Sequence, residues 1–75
     1  MKELVEFIAK ELVDHPEDVF VTEVDKEGIM TLELRVHADD MGKVIGKQGK
    51  IAKAIRTVVK AASMKENKKV HVEIV

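Results

Sequence analysis

The residues best suited to chemistry in this chain of 75 are Gly46-Lys47-Gln48-Gly49, two glycines three positions apart with a cation and an amide between them. Val44-Ile45 precedes them and Lys50-Ile51 follows, inside an apolar pattern that otherwise reads as helix. Each glycine lacks a Cβ and accepts positive φ, so the backbone can turn sharply and a bulky group can lie against it. The chemistry this favours is capture of a phosphate backbone, because Lys47, Lys50, Lys53 and Arg56 all follow within ten residues of Gly46. A nucleotide-binding P-loop is excluded: Gln48 stands where that motif needs Ser or Thr, and the glycine required five residues before Gly46 is absent.

Charge distribution supports an anionic ligand, although the net charge of −1 conceals it. Met1 to Asp40 carries twelve acids against four bases, and Met41 to Lys69 carries one acid, Glu66, against nine bases. The first part is therefore −8 and the second +8, which in a folded domain predicts one strongly positive surface. Mutual neutralisation of the two parts is the duller alternative, and the clustering of bases around the glycine turn argues against it.

The elements that must position the turn follow from periodicity. Leu4, Val5, Ile8, Leu12 and Val13 recur at helical spacing, an amphipathic first helix that Pro16 brings to an end, with Phe7 assigned to its core face. Val19 to Val24 reads as a strand, Asp25-Lys26-Glu27-Gly28 as a turn, and Ile29 to His37 as an alternating strand paired with the first as a hairpin. Asp39-Asp40 supplies an N-cap for a short helix from Met41 to Ile45, which Gly46 ends in a left-handed conformation. A long helix runs from about Lys50 to Met64 with Ile51, Ala54, Ile55, Val58 and Ala62 on its buried face. Asn67 closes it, and Lys69 to Val75 alternates as a final strand. The expected class is α+β: order α-β-β-α-α-β, with a three-stranded mixed sheet covered on one face by helices and the last two strands parallel.

The stretch Val44-Ile45-Gly46-Lys47-Gln48-Gly49-Lys50-Ile51, joining a short and a long helix after an alternating strand, resembles the GXXG loop of the KH domain, a module that binds RNA and single-stranded DNA. The element order matches the type II, bacterial arrangement. With His15-Pro16-Glu17-Asp18-Val19, Asp40-Met41-Gly42-Lys43 and Ala54-Ile55-Arg56 included, the whole chain resembles the KhpA family of small stand-alone bacterial KH proteins, one domain over residues 1–75. The resemblance implies a groove in which about four unpaired nucleotides lie with their backbone held at the loop. Mapped onto this sequence, the RNA-binding set is Ile45, Gly46, Lys47, Gln48, Gly49, Lys50, Ile51, Lys53 and Arg56, with Leu34 and Val36 from the strand as apolar floor. It also implies a role as RNA chaperone or post-transcriptional regulator in bacterial cell elongation and division, and pairing as a homodimer or with a KhpB/Jag-like KH protein. The second reading is thus an interaction module in which RNA contact is secondary.

Several classes drop out. There are no cysteines, so disulfides and thiolate metal sites are excluded. No apolar run approaches the roughly 20 residues of a membrane span, and the acidic start is not a signal peptide, so a soluble cytoplasmic protein is the expectation. His37, Asp39 and Asp40 read as capping and surface residues rather than metal ligands, and His15 and His71 as surface residues. No Ser-His-Asp or paired-carboxylate arrangement indicates an enzyme, and no cofactor or small-molecule substrate is expected. Phe7 and Phe20, the only aromatics, lie far from the loop in sequence, so binding rests on phosphate contacts and apolar packing rather than stacking. The expectation is weak affinity, on the order of micromolar per domain, with steep salt dependence and little sequence preference.

Overall fold

A computed structural model describes all residues from Met1 to Val75. Helix α1 spans Lys2–Leu12, and the hairpin strands β1 and β2 span Phe20–Lys26 and Ile29–Arg35. Helix α2 (Met41–Ile45) and helix α3 (Lys50–Lys65) flank the glycine turn, and strand β3 (Lys69–Ile74) completes the chain. Short 3₁₀ turns occupy Pro16–Asp18, Ala38–Asp40 and Lys47–Gly49.

The sheet order is β1-β2-β3. β1 and β2 run antiparallel, with Phe20 opposite Arg35 and Lys26 opposite Ile29 across the tight turn at Glu27-Gly28. β2 and β3 run parallel, with Ile29 beside Lys69 and Leu34 beside Ile74, as a helical crossover between them requires. This is the mixed sheet the alternation predicts. Val21, Leu32, Leu34 and Val72 point inward and meet Val5, Ala9, Val44, Ile55 and Val59 from the helices, forming one core on one face of the sheet.

Three expectations need correction. α1 stops at Leu12, where Val13 turns extended (φ −98°, ψ 161°), and Pro16 opens the next turn instead of ending the helix. The chain leaves early because the amides of Asp14 and His15 are engaged elsewhere, as described below. Phe7 is 65% exposed and Ala9 takes the core position, since burial on a single face of this short helix is satisfied by Val5 and Ala9, one turn apart. On α3 the buried residues are Ala52, Ile55, Val59 and Ser63, so the helix is rotated from the expected face: Ala54 and Val58 point to solvent, and the Ser63 hydroxyl satisfies itself on the Lys60 carbonyl at 2.9 Å. Periodicity counted apolar residues on two neighbouring sides of this helix and could not choose between them.

Candidate nucleic-acid interface

The loop is built from backbone geometry that glycine alone supplies. Gly46 has φ 77° and ψ 172°, positive φ with an extended ψ rather than the left-handed helical value expected. A Cβ there would collide with the Ile51 side chain and stand 2.8 Å from the Ile51 nitrogen. Gly46 therefore lets Ile51 close under the turn, and Ile51, half-buried, anchors the start of α3 to the core. Gly49 (φ 75°, ψ 13°) is left-handed and faces open space, so here the backbone itself is presented. Between them Gln48 is also left-handed (φ 59°, ψ 26°), an arrangement costing a side-chain-bearing residue about 1 kcal/mol.

This turn leads directly into α3, whose first turn carries no capping side chain. Sixteen residues of aligned peptide dipoles end there, and the positive end faces the loop. Lys47, Gln48, Lys50, Lys53 and Arg56 are all exposed around it. Of the nine bases between Met41 and Lys69, only Lys43 has a carboxylate partner, so the two oppositely charged parts of the chain do not neutralise each other. The bases that charge segregation gathers in this part of the chain are all exposed, and eight of the nine have no ion-pair partner.

The floor is arranged differently from the sequence expectation. Leu34 is 0% exposed and Val36 is buried, so both side chains are spent in the core: Leu34 points inward from the central strand β2, and Val36, just past the end of that strand, packs into the same cluster. Ile45, exposed beside the loop, is the apolar residue available to a ligand. The strand that lines the basic flank of α3 is the edge strand β3: Arg56 Nε donates to the Val72 carbonyl at 3.2 Å, holding the guanidinium over the cleft between α3 and β3. The structure thus brings together Ile45, the loop, Lys50, Ile51, Lys53 and Arg56, and leaves Leu34 and Val36 out. Phe7 and Phe20 stay remote, Phe20 lying with Thr22, Glu33 and Arg35 on the outer face of the sheet.

Sequence reading missed a polar latch beside the loop. Asp40 is fully buried and does not cap α2; its helical φ and ψ (−97°, −3°) turn the carboxylate back toward the end of α1. It accepts from the Asp14 amide (3.3 Å), the His15 amide (3.0 Å) and His15 Nδ1 (2.9 Å). Lys43 Nζ lies 3.5 Å from Asp40 Oδ1, the oxygen that also takes the Asp14 amide, and is paired with the Asp14 carboxylate. The His15 ring stacks on that of His37 at 4.1 Å, and His37 Nδ1 accepts from the Asp39 amide at 3.0 Å. Burial works to raise the Asp40 pKa, but the hydrogen bonds from His15 and from the two amides outweigh it and hold it at about 2. The same hydrogen bond to Asp40 raises the His15 pKa. The only signal in the sequence was that His15-Pro16 and Asp40 fall in the two segments most characteristic of the resemblance.

A Gly-x-x-Gly turn between a short and a long helix, set over a three-stranded mixed sheet in the order α-β-β-α-α-β, defines a KH domain of type II. Its family model, described as KhpA/KhpB, KH domain, matches residues 2–74, and the chain belongs to that family. It is 73% identical to the RNA-binding protein KhpA of Clostridium perfringens and 65% identical to that of Clostridium acetobutylicum, in each case over all of both chains. The Listeria monocytogenes protein of the same name is 53% identical over 75 residues, covering this whole chain and 99% of that one. Among solved structures, Aquifex aeolicus Era bound to GDP.AlF4- superposes with a TM-score of 0.68 at 19% identity, covering 97% of this chain and 28% of that one. Era in complex with MgGDPNP and nucleotides of 16S ribosomal RNA gives 0.66, with the same identity and coverage. The chain spans about a quarter of those longer proteins, and at that identity the likeness speaks for the fold. No helix is long and apolar enough to cross a membrane.

Proposed function

We propose that this domain is an RNA-binding module that clamps single-stranded RNA at the Gly46-Lys47-Gln48-Gly49 turn. The observation that carries the reading is the run of unpaired cations that begins at a turn of exposed backbone and continues along one helix. Phosphates sit against Gly49 and the start of α3, where backbone N–H groups and the dipole favour an anion, and Lys47 and Lys50 supply charge. Gln48 offers an amide, Ile45 packs beneath a base, and Arg56 stands ready for a phosphate or base edge. RNA is preferred as the ligand because the relatives carry the name of RNA-binding proteins. The chemistry is binding rather than catalysis. In the cell the reading extends to a cytoplasmic RNA chaperone or post-transcriptional regulator acting in cell elongation and division.

Replacing Lys47 and Gln48 with Asp tests this directly. Each position trades a favourable contact for repulsion, and loss of two charge-assisted contacts amounts to roughly a hundredfold in affinity for single-stranded RNA. Unchanged binding by a folded variant refutes the clamp. A second reading has its own observation: Val58, with Ala54 and Ala61, forms an uncovered small and apolar strip on the outer side of α3. That strip suits pairing with a second copy or with a KhpB/Jag-like KH protein. Val58→Asp then abolishes pairing in light scattering while the loop variant retains it; pairing by V58D assigns the contact elsewhere.

A further inference from the structure

The two edges of the sheet are unequal. Along β3 the Val72 carbonyl already accepts from Arg56, whereas β1, the opposite edge, has no hydrogen-bonding partner on its outer side. Lys26 and Ile29 face each other across the two-residue turn, so Lys26, Val24 and Thr22 occupy the positions that bond across to β2. Glu23 and Asp25, at the alternate positions, therefore turn their amides and carbonyls outward. Their side chains lie on the same side of the sheet as buried Val21, yet both are exposed, because the helices stop covering β1 past Val21. On the other side Phe20 and Val24 stand 59% and 40% exposed. From Glu17 to Glu27 there are five acids against one base, Lys26, and none of these is in an ion pair.

We infer that the edge of β1 takes an added strand from a partner protein, an extended segment in which basic and apolar side chains alternate. The outward backbone groups of Glu23 and Asp25 supply its hydrogen bonds, and the strand runs antiparallel, the slightly more stable pairing. Residues directly opposite across a ladder share a face of the sheet. Those set against Glu23 and Asp25 are therefore Lys or Arg, and those set against Thr22 and Val24, beside Phe20, are apolar. Charge selects this occupant over two others. The acids repel an RNA phosphate, and a second copy pairing through its own β1 would set Glu23 and Asp25 against like charges. The edge lies across the sheet from β3, which borders the basic flank of α3, so a strand and an RNA can be held at once.

The test uses three end-blocked octapeptides: one alternating Lys and Val, one alternating Glu and Val, and the Lys-Val peptide N-methylated at its lysines, the residues that bond to Glu23 and Asp25 in the added strand. In amide NMR of the wild type, the Lys-Val peptide shifts Glu23 and Asp25 and slows their hydrogen exchange on the order of tenfold, while Thr22 and Val24, already bonded to β2, keep their rates within about twofold. The N-methylated peptide, with its charge intact, leaves exchange at Glu23 and Asp25 unchanged. E23K/D25K, folded by circular dichroism, binds the Lys-Val peptide about tenfold more weakly and binds the Glu-Val peptide instead. An N-methylated peptide that binds as tightly as its parent reduces the contact to charge attraction and overturns the added strand, and this result is read on the wild type whether or not the variant folds. A folded variant that keeps its full affinity for the Lys-Val peptide overturns the chosen partner chemistry. Exchange at Glu23 and Asp25 that slows with rising protein concentration in the absence of peptide puts a second copy on the edge, and a shift of the same two amides with single-stranded RNA assigns the edge to nucleic acid; each overturns the inference.

Discussion

Lys43 and Lys47 lie four residues apart, one within α2 and one just past its end, and belong to different worlds. Around Lys43 every charge has a partner: Asp14 and Asp40 take the ammonium, and Asp40 takes the His15 ring and two amides. Around Lys47 no charge has one, and the backbone occupies positive φ at three of the next positions from Gly46 to Gly49. The first region spends its polar groups internally to fix where α2 starts relative to α1. The second leaves its groups unspent, which is costly to the free domain through mutual repulsion and useful only if an anion arrives. Sequence proximity and residue type are the same in both; the difference is whether carboxylates from 25 or more residues away are brought alongside.

The contrast can be broken most severely at Gly46. Gly46→Ala combines a backbone conformation reserved for glycine with a collision against Ile51, and should cost about 3–5 kcal/mol, a drop in melting midpoint of roughly 15 °C or more. Gly49→Ala, with open space around it, should cost only about 1–2 kcal/mol. Equal losses in thermal melts count against the separate roles given to the two glycines.

Salt separates the regions next. For four phosphates held by the clamp, the log–log slope is about −2.8, so a fourfold rise in salt weakens RNA binding roughly fiftyfold. The buried latch is screened far less, and the melting midpoint should hardly move over the same range. A flat binding curve removes the electrostatic basis of the clamp.

pH acts on the latch and spares the loop. The pKa of His15 is raised in the folded state, so its stabilising contribution is complete below the unfolded value near 6.5 and fades as pH rises through the higher folded value. That of Asp40 is depressed, so its contribution is complete above 3.8 and fades as pH falls toward about 2. Denaturant melts of His15→Gln should show a flatter stability profile just above pH 6.5 than wild type, while RNA affinity per folded molecule, resting on a loop without histidine, stays level. The smallest effect belongs to Gln48→Gly, which relieves left-handed strain and should stabilise the domain by about 1 kcal/mol or less while weakening RNA binding modestly.

Much of this was legible in the chain. Alternation from Met30 to Val36 gave β2 and its buried side, the 2.0 and 3.6 periods gave the element order, and two glycines around Lys47-Gln48 gave the loop. What escaped were choices among equivalents. α3 carries apolar or small residues on two adjacent sides, so Ala54 and Val58 were placed inward when Ala52, Val59 and Ser63 are. Leu34 and Val36 have the right character for a groove floor, yet Leu34 on the central strand and Val36 just past its end are both buried in the core and have no side-chain surface to offer. Asp40 has the composition of a cap, and only its backbone angles and the nearness of His15 make it the buried centre of a latch.

By itself the sequence determined the local and the additive: which segments are helix or strand, where glycine must break the periodicity, and that eight units of positive charge gather after Met41. Tertiary structure decided what depends on a partner distant in the chain: which lysine is neutralised, which side of α3 is covered, which strand borders the basic stripe, and how far that stripe runs. Periodicity and charge are properties of neighbours along the chain, whereas burial and ion pairing are properties of neighbours in space.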